Sequence, residues 1–353
     1  MTREPAAAAP ATRVRPGDDP AAVAAAAAII RGGGLVAFPT ETVYGLGANA
    51  LDPVAVAGIF EAKGRPRFDP LIVHLADPGE LARWADPDDA VDPRVVRLVA
   101  ALWPGPLTLV LRKRPLIPGI VTAGLPTVGL RTPDHPVARA LIAAAGVPIA
   151  APSANRFGRL SPTRAAHVVR QLGGRVGLVL DGGPSRVGVE STVVLLAAGR
   201  AALLRPGGVP AEAIEALVGP LELISDGQAE AAALAPGRSG AHYAPGPPLE
   251  VVPAGRRIVP AHRGERIGLL AASDAGLERA ARIAGRAGMS FAAVEVLAPG
   301  GDPVRSAARL FDALHALDEA GVDRIVAQPV PEHGLGRAVM DRLRRAALDR
   351  AEG

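Results

Sequence analysis

Several stretches of this 353-residue chain gather side chains that could do chemistry together. Phe38 to Gly47 reads F-P-T-E-T-V-Y-G-L-G. An apolar run breaks at Pro39 into the hydroxyls of Thr40 and Thr42, the Glu41 carboxylate and two glycines. Glycine lets a backbone approach a ligand closely, and threonine both donates and accepts. Read alone, a strand-to-turn connection bonding its own threonines is the simpler account. Next, Lys63, Arg65 and Arg67 fall within five residues, ahead of Asp69-Pro70 and an apolar run ending at His74. Such a cluster suits a triphosphate, with lysine as a point charge and arginine as a bidentate fork. The G-x-x-x-x-G-K-[ST] loop is missing, so this is no P-loop. A solvated cationic turn is the plain alternative, as a satisfied core histidine is for His74. Ala150 to Thr163 then brings Ser153 and Asn155 to a strand's carboxyl end, where ligand groups collect. Ser161 and Thr163 flank Pro162 at a helix start. Either can cap that helix, whose free N–H groups could hold an anion. Last, Glu190-Ser191-Thr192 opens a strand, and Leu204-Arg205-Pro206-Gly207 follows a short hairpin. Each of these also fits a connection without function.

Composition narrows the chemistry further. Lysine occurs only at Lys63 and Lys113; every other base is arginine. In so biased a chain, Lys63 marks a place where a compact ammonium serves better than a planar fork, whereas Lys113 sits between Arg112 and Arg114 in a turn. Net charge is only +4 and no run of five bases occurs, so composition lends little support to nucleic-acid binding. With no cysteine there is no disulfide framework or thiolate metal site, and a cytoplasmic enzyme is the default expectation. The seven histidines lack metal-ligand spacing, and H-E-x-x-H and G-x-S-x-G are absent. No uninterrupted apolar run is long enough to suggest a membrane span.

The elements that must position these groups alternate. Helices are expected at Ala21–Arg31, Val54–Ala62, His135–Ala145, Thr163–Leu172 and Ala211–Val218. Strands are expected at Leu35–Phe38, Leu71–Leu75, Leu107–Leu111, Thr127–Arg131, Pro148–Ala151, Gly177–Leu180 and Thr192–Leu196. The mixture predicts an α/β domain with a mixed, twisted sheet over residues 21–218, after a frayed tail at 1–20. Dense proline and glycine at 236–248 read as part of a linker spanning 219–248. Beyond it, strands separated by helices of 10–15 residues predict a small parallel α/β domain over 249–353.

In this order the segments closely resemble the threonylcarbamoyl-AMP synthase family, whose catalytic part is the YrdC-like domain. The matching words are PTETVYGLGANA, KGRP with PLIVHL, WPGPLTLVL, VGLRTPDHP, APSANRFGRLSPT, ESTVV and LLRPGGV, spanning Gly33–Val209. The Pro236–Pro245 segment and GLGRAVMDRLRRAA at Gly334–Ala347 resemble the longer members, which carry an extra C-terminal domain.

The resemblance implies a YrdC-like twisted mixed sheet around a concave cationic cavity, with a Rossmann-like domain behind it. It implies that L-threonine, bicarbonate or CO₂, and ATP are condensed to threonylcarbamoyl-AMP and pyrophosphate, for a downstream tRNA threonylcarbamoyl transferase. Thr40, Thr42, His74 and Arg131 should surround threonine, with Ala151, Ser191 and Thr192 nearby. Lys63, Arg65, Ser153 and Asn155 should form the catalytic group and, with Thr127, Ser161 and Arg205, engage the nucleotide. Tyr243 should reach back over it, making the linker a lid. Mg²⁺ should accompany ATP, with no metal site built from side chains. Asp69 stands where the family has asparagine; an ionised carboxylate only accepts, so contact with a phosphate would need Arg67 or Mg²⁺ to offset it. Two other classes remain open: an RNA-binding module using the same cationic cavity, and a regulatory protein whose C-terminal domain senses a ligand.

Overall fold

The computed structural model describes residues 11–197, 199–224, 243–253 and 255–348. Its first unit is a mixed sheet of β1 (Arg13–Pro16), β2 (Val36–Phe38), β3 (Gly45–Asn49), β4 (Ile72–His74), β5 (Leu107–Arg112), β6 (Thr127–Arg131), β7 (Ile149–Ala150), β8 (Leu178–Asp181), β9 (Thr192–Leu195), β10 (Ala202–Arg205) and β11 (Glu222–Leu223). The strand order is β1-β8-β2-β3-β7-β4-β6-β5-β9-β10-β11. Helices α1 (Pro20–Arg31), α2 (Pro53–Lys63), α3 (Leu81–Trp84), α4 (Pro87–Ala90), α5 (Pro93–Leu102), α6 (Pro136–Ala145), α7 (Ala165–Leu172) and α8 (Ala211–Val218) cover it. A repeated local device starts many of them. Asp19-Pro20, Asp52-Pro53, Asp86-Pro87 and Asp92-Pro93 each put a capping carboxylate before a proline at the first helical position. The carboxylate accepts from free N–H groups, and proline has no N–H to leave unpaired.

Three expectations change. The stretch 11–20 is not a frayed tail, because Arg13–Pro16 pairs in parallel with β8 at the sheet edge. The sheet also continues past residue 218, since Glu222–Leu223 adds beside β10. Helix α5, which buries Val95 and Leu98, and strand β3 lie where no element was expected, although Asp92-Pro93 carried the start signal. Most of the expected linker, residues 225–242, lies outside the described residues.

The second unit is the parallel domain expected. Strands β12 (Leu249–Val251), β13 (Ile267–Ala271), β14 (Ala293–Val296) and β15 (Arg324–Ala327) run parallel in the order β12-β15-β13-β14. Helices α9 (Asp274–Arg286), α10 (Pro303–Glu319) and α11 (Gly336–Ala346) connect and flank them. Among the described residues no helix is long and apolar enough to cross a membrane.

The two units share a core. Val43, Leu160, Val189 and Tyr243 pack in one apolar cluster with Phe311, Leu314, Val339 and Leu343 of the second unit. Polar contacts ring this seam. Asp312 accepts from Thr163 Oγ1 at 2.5 Å and from Arg164 Nη2 at 2.7 Å. His167 and His315 stack with centroids 3.8 Å apart, and His315 Nε2 lies 3.1 Å from the Ser161 carbonyl.

Burial, then the neighbouring His315, pushes the His167 imidazole down to about 3, and burial lowers His315 as well. An unfolded imidazole binds a proton below about pH 6.5 that these sites refuse. Their contribution to stability is therefore complete above that pH and is lost as pH falls toward the folded values. Thermal unfolding should shift to lower temperature between pH 7.5 and 5, and His167→Phe should shrink that shift. A second test concerns Gly207, where an added Cβ would lie 2.4 Å from the Glu190 carbonyl oxygen and the Ser191 carbonyl carbon. Gly207→Ala must push β9 from the β10 loop, and should lower Tm by roughly 5 °C or more in a melting assay.

Candidate active site

Strands of both directions bring the candidate residues to one cavity, since β4 and β6 run opposite to β2 and β7. Thr40 follows β2, His74 ends β4, Arg131 ends β6 and Ala151-Pro152-Ser153 follows β7. Strand β9 runs antiparallel to β6 in sense, being parallel to β5, so Ser191 at its start lies at the sheet end where His74 and Arg131 stand. Arg205, at the end of antiparallel β10, arrives beside it. Together these ends enclose a concave cavity lined by Thr40, Thr42, Arg65, Arg131, Arg205 and His74 among others.

One wall is built on Arg131, a cross-strand partner of His74. Its Nε donates to the Gly105 carbonyl at 3.1 Å, Nη1 to Thr42 Oγ1 at 3.1 Å, and Nη2 faces Glu41 Oε1 at 2.5 Å. Thr42 is in turn 2.7 Å from the Thr40 hydroxyl, which donates to the Val43 carbonyl at 2.6 Å. A guanidinium has five N–H groups, so these contacts fix its plane and leave donors for a ligand carboxylate. Burial, and then Arg131, push the His74 imidazole down to about 3. His74 is accordingly neutral near pH 7, a polar contact rather than a second cation or an effective base.

The opposite wall depends on the end of α2. Gly64 adopts a left-handed conformation (φ 63°) that stops the helix and turns Arg65 toward the cavity. Lys63, by contrast, is buried behind the wall. Its ammonium donates to the Ser153 and Asn155 carbonyls, each at 2.5 Å, and reaches Asn155 Oδ1 at 3.4 Å. Burial and the nearby Arg65 pull the Lys63 pKa well down, while these oxygens favour its protonated form. Asn155 spends its amide on the Arg156 and Arg159 carbonyls. Lys63 and Asn155 thus shape the turn that presents Ser153. Asp69 forms a buried 2.9 Å ion pair with Arg65, whose Nη2 also donates to the Pro70 carbonyl at 2.9 Å.

The third wall joins β9, β10 and the second unit. Arg205 Nη2 donates to the Ser191 carbonyl at 2.9 Å and lies 3.3 Å from its hydroxyl, which is 2.7 Å from that of Thr108. Glu190 lines the cavity and accepts from Ser161 Oγ at 2.5 Å. Tyr243 closes the rim, 1% exposed, and the next amide, of Ala244, donates to the Gly158 carbonyl at 2.9 Å.

The structure therefore brings Thr40, Thr42, Arg65, His74, Arg131, Ala151, Ser153, Ser191, Arg205 and Tyr243 onto one cavity. Lys63, Asn155, Asp69, Ser161 and Thr192 are not on that lining. Lys63, Asp69 and Ser161 stand one contact behind it, on Ser153, Arg65 and Glu190, and Asn155 stands behind Lys63. Thr192 Oγ1 donates instead to the Val209 carbonyl at 2.6 Å, tying β9 to the loop after β10. Thr127 stands at the far end of β6, opposite Arg112, because a five-residue strand separates it from Arg131. Sequence reasoning passed over Glu41 and Glu190 as site residues, although both lie inside the quoted words. Arg342 of α11, which contacts Glu190, lies inside the quoted word GLGRAVMDRLRRAA but was not singled out as a site residue.

The family model described as "Telomere recombination", for the Sua5–YciO–YrdC group, matches residues 28–207, and that of the threonylcarbamoyl-AMP synthase C-terminal domain matches 209–348. The threonylcarbamoyl-AMP synthase of Bacillus subtilis is 44% identical over 338 residues, covering 92% of each chain. That of Pyrococcus abyssi is 45% identical over 326 residues, covering 91% of this chain and 93% of its own. The crystal structure of P. abyssi Sua5 complexed with L-threonine superposes with a TM-score of 0.81 at 39% identity, covering 96% of this chain and 97% of that one. Two matched domains in the same order, over nearly the full length of such relatives, mean that this chain belongs to the threonylcarbamoyl-AMP synthase family in its long, two-domain form.

Proposed function

We propose that this enzyme's cavity condenses L-threonine, bicarbonate or CO₂, and ATP into threonylcarbamoyl-AMP and pyrophosphate. The observation that carries the reading is the convergence of Arg65, Arg131 and Arg205 on one pocket that also holds hydroxyls and a neutral imidazole. Threonine brings a carboxylate and ATP a polyphosphate, both anionic, and the solved relative bound to L-threonine shares this fold.

Arg131, with Thr42 and Thr40, takes the threonine carboxylate, and Arg65, Ser153 and Arg205 take the phosphates. In the first step the threonine amine attacks the carbon of bicarbonate or CO₂, forming a C–N bond and an N-carboxylate; with bicarbonate, water leaves. That carboxylate then attacks the α-phosphorus of ATP, and the bond to the β-phosphate oxygen breaks to release pyrophosphate. Two anions must meet, so the protein contributes charge neutralisation and alignment, and no side chain need become a nucleophile. Mg²⁺ belongs to the nucleotide substrate, as hard cations do on phosphate oxygens. An arginine- and hydroxyl-lined pocket accords with that, and among the described residues no group of three or more His, Asp or Glu is placed to hold a metal. A cytoplasmic setting and a downstream tRNA threonylcarbamoyl transferase as consumer fit an adenylate product. An RNA-binding role for the cavity would instead give steep salt dependence and no threonine-dependent ATP cleavage.

The test is pyrophosphate release from ATP, Mg²⁺ and bicarbonate with and without threonine. Release that requires threonine is expected; threonine-independent release or none would defeat the proposal. In the same assay Lys63→Ala should lower kcat/KM by about 10²-fold, by loosening the Ser153 turn. The pH dependence between 6 and 8 should show no titration from His74, because it stays neutral throughout. His74→Gln, which keeps a neutral hydrogen-bonding group, should retain clearly more activity than His74→Ala.

A further inference from the structure

Glu190 poses an electrostatic problem that rests on this functional reading. Its carboxylate lines a pocket proposed to receive polyphosphate, where a bare negative charge would repel the substrate. The partner that answers it comes from the other unit. Arg342 of α11 is completely buried, donates from Nε to Glu190 Oε2 at 2.8 Å and from Nη1 to the Pro206 carbonyl at 3.0 Å. Pro206 follows Arg205, so one guanidinium grips both the acid and the backbone of the cationic wall. Its plane lies 5.0 Å from the centre of the Tyr243 ring, which closes the rim.

The arrangement extends inward. Arg342 Nη1 also meets Asp341 at 2.5 Å, and Asp341 pairs with Arg345 Nε at 3.2 Å. Glu190 and Asp341 balance Arg342 and Arg345, so the buried cluster is neutral as a whole. Burial alone would raise the Glu190 carboxyl, but Arg342, Arg205 and the Ser161 hydroxyl outweigh it and hold it ionised. A neutralised Glu190 can then accept from Ser161 without its charge opposing the phosphates proposed for Arg205 and Arg65.

We infer that Arg342 is a positioning residue for the nucleotide half of the reaction: the C-terminal domain inserts it behind the pocket to neutralise Glu190 and brace the Arg205 loop. The C-terminal domain then acts on catalysis through a single buried side chain, without touching substrate.

Full-length wild type, Arg342→Met, Glu190→Gln and the double variant Glu190→Gln/Arg342→Met would be compared. The readouts are KM for ATP and for threonine in pyrophosphate release, and ATP affinity by calorimetry. Arg342→Met should raise the ATP KM by roughly tenfold or more, with the threonine KM within about threefold of wild type. Removing the acid as well should return the ATP KM to within about threefold of wild type, a coupling that loss of packing would not produce. Glu190→Gln alone should raise the ATP KM less than Arg342→Met does, since Arg342 keeps Asp341 as partner. If Arg342→Met does not fold, the double variant, which buries no unpaired carboxylate, decides by the same threshold. An unchanged ATP KM in Arg342→Met, a double variant well outside that threefold range, or an ATP KM in Glu190→Gln as high as that in Arg342→Met would overturn the inference. A wild type without threonine-dependent release would overturn the functional reading instead, while ATP calorimetry on the four proteins still tests the charge argument.

Discussion

Burying guanidinium groups around one cavity is the demand that the rest of the structure answers. A charge taken out of water costs several kcal/mol unless oxygens replace the lost hydration. Here every buried cation near the cavity has such oxygens: Gly105, Thr42 and Glu41 around Arg131, Pro70 and Asp69 around Arg65, and Ser191 around Arg205. These partners also hold the forks in fixed orientation before any ligand arrives. A pocket prepared this way need not reorganise when anions enter, which is how oriented dipoles and charges lower barriers.

The same demand explains the division of labour between Lys63 and the arginines. A planar fork cannot turn to several carbonyls converging from one side, whereas an ammonium has three donors on a single atom. Lys63 sits where the Ser153 and Asn155 carbonyls converge, and it shapes the loop rather than lining the cavity. Arg65, two residues on and turned by Gly64, does line it. Adjacent bases in one short motif therefore hold different posts.

The second domain is part of this economy of charge and packing. Its core runs continuously into Val43, Leu160, Val189 and Tyr243 at the cavity rim. Linker and domain are thus fastened to the catalytic unit by apolar contact, by the His167–His315 stack and by the Asp312 bonds. The described end of the linker, at Tyr243 and Ala244, is stitched to the Asn155–Arg159 loop through Gly158. In this structure Tyr243 forms the pocket's edge.

Much of this was legible in the amino-acid sequence. Local rules marked the helices, because Asp-Pro pairs and terminal glycines act over a few residues, and the parallel C-terminal domain followed from strand and helix spacing. The ordered words gave the family and most of the cavity lining, since those words fall at the strand ends and turns that border the cavity. Edge strand β1 escaped, because its partner β8 is more than 160 residues away and a short polar strand has no period of its own. Which face each hydroxyl or carboxylate took also escaped: Thr192 and Ser161 are equally polar in sequence, yet one ties β9 to a loop and the other serves Glu190. Arg342, 152 residues from Glu190, had meaning only once α11 had packed. Short-range sterics and hydrogen bonding made most elements and all the available chemical types readable from the residues alone. Only the tertiary structure decided which charges meet, because pairing buried charges depends on long-range packing that no local pattern encodes.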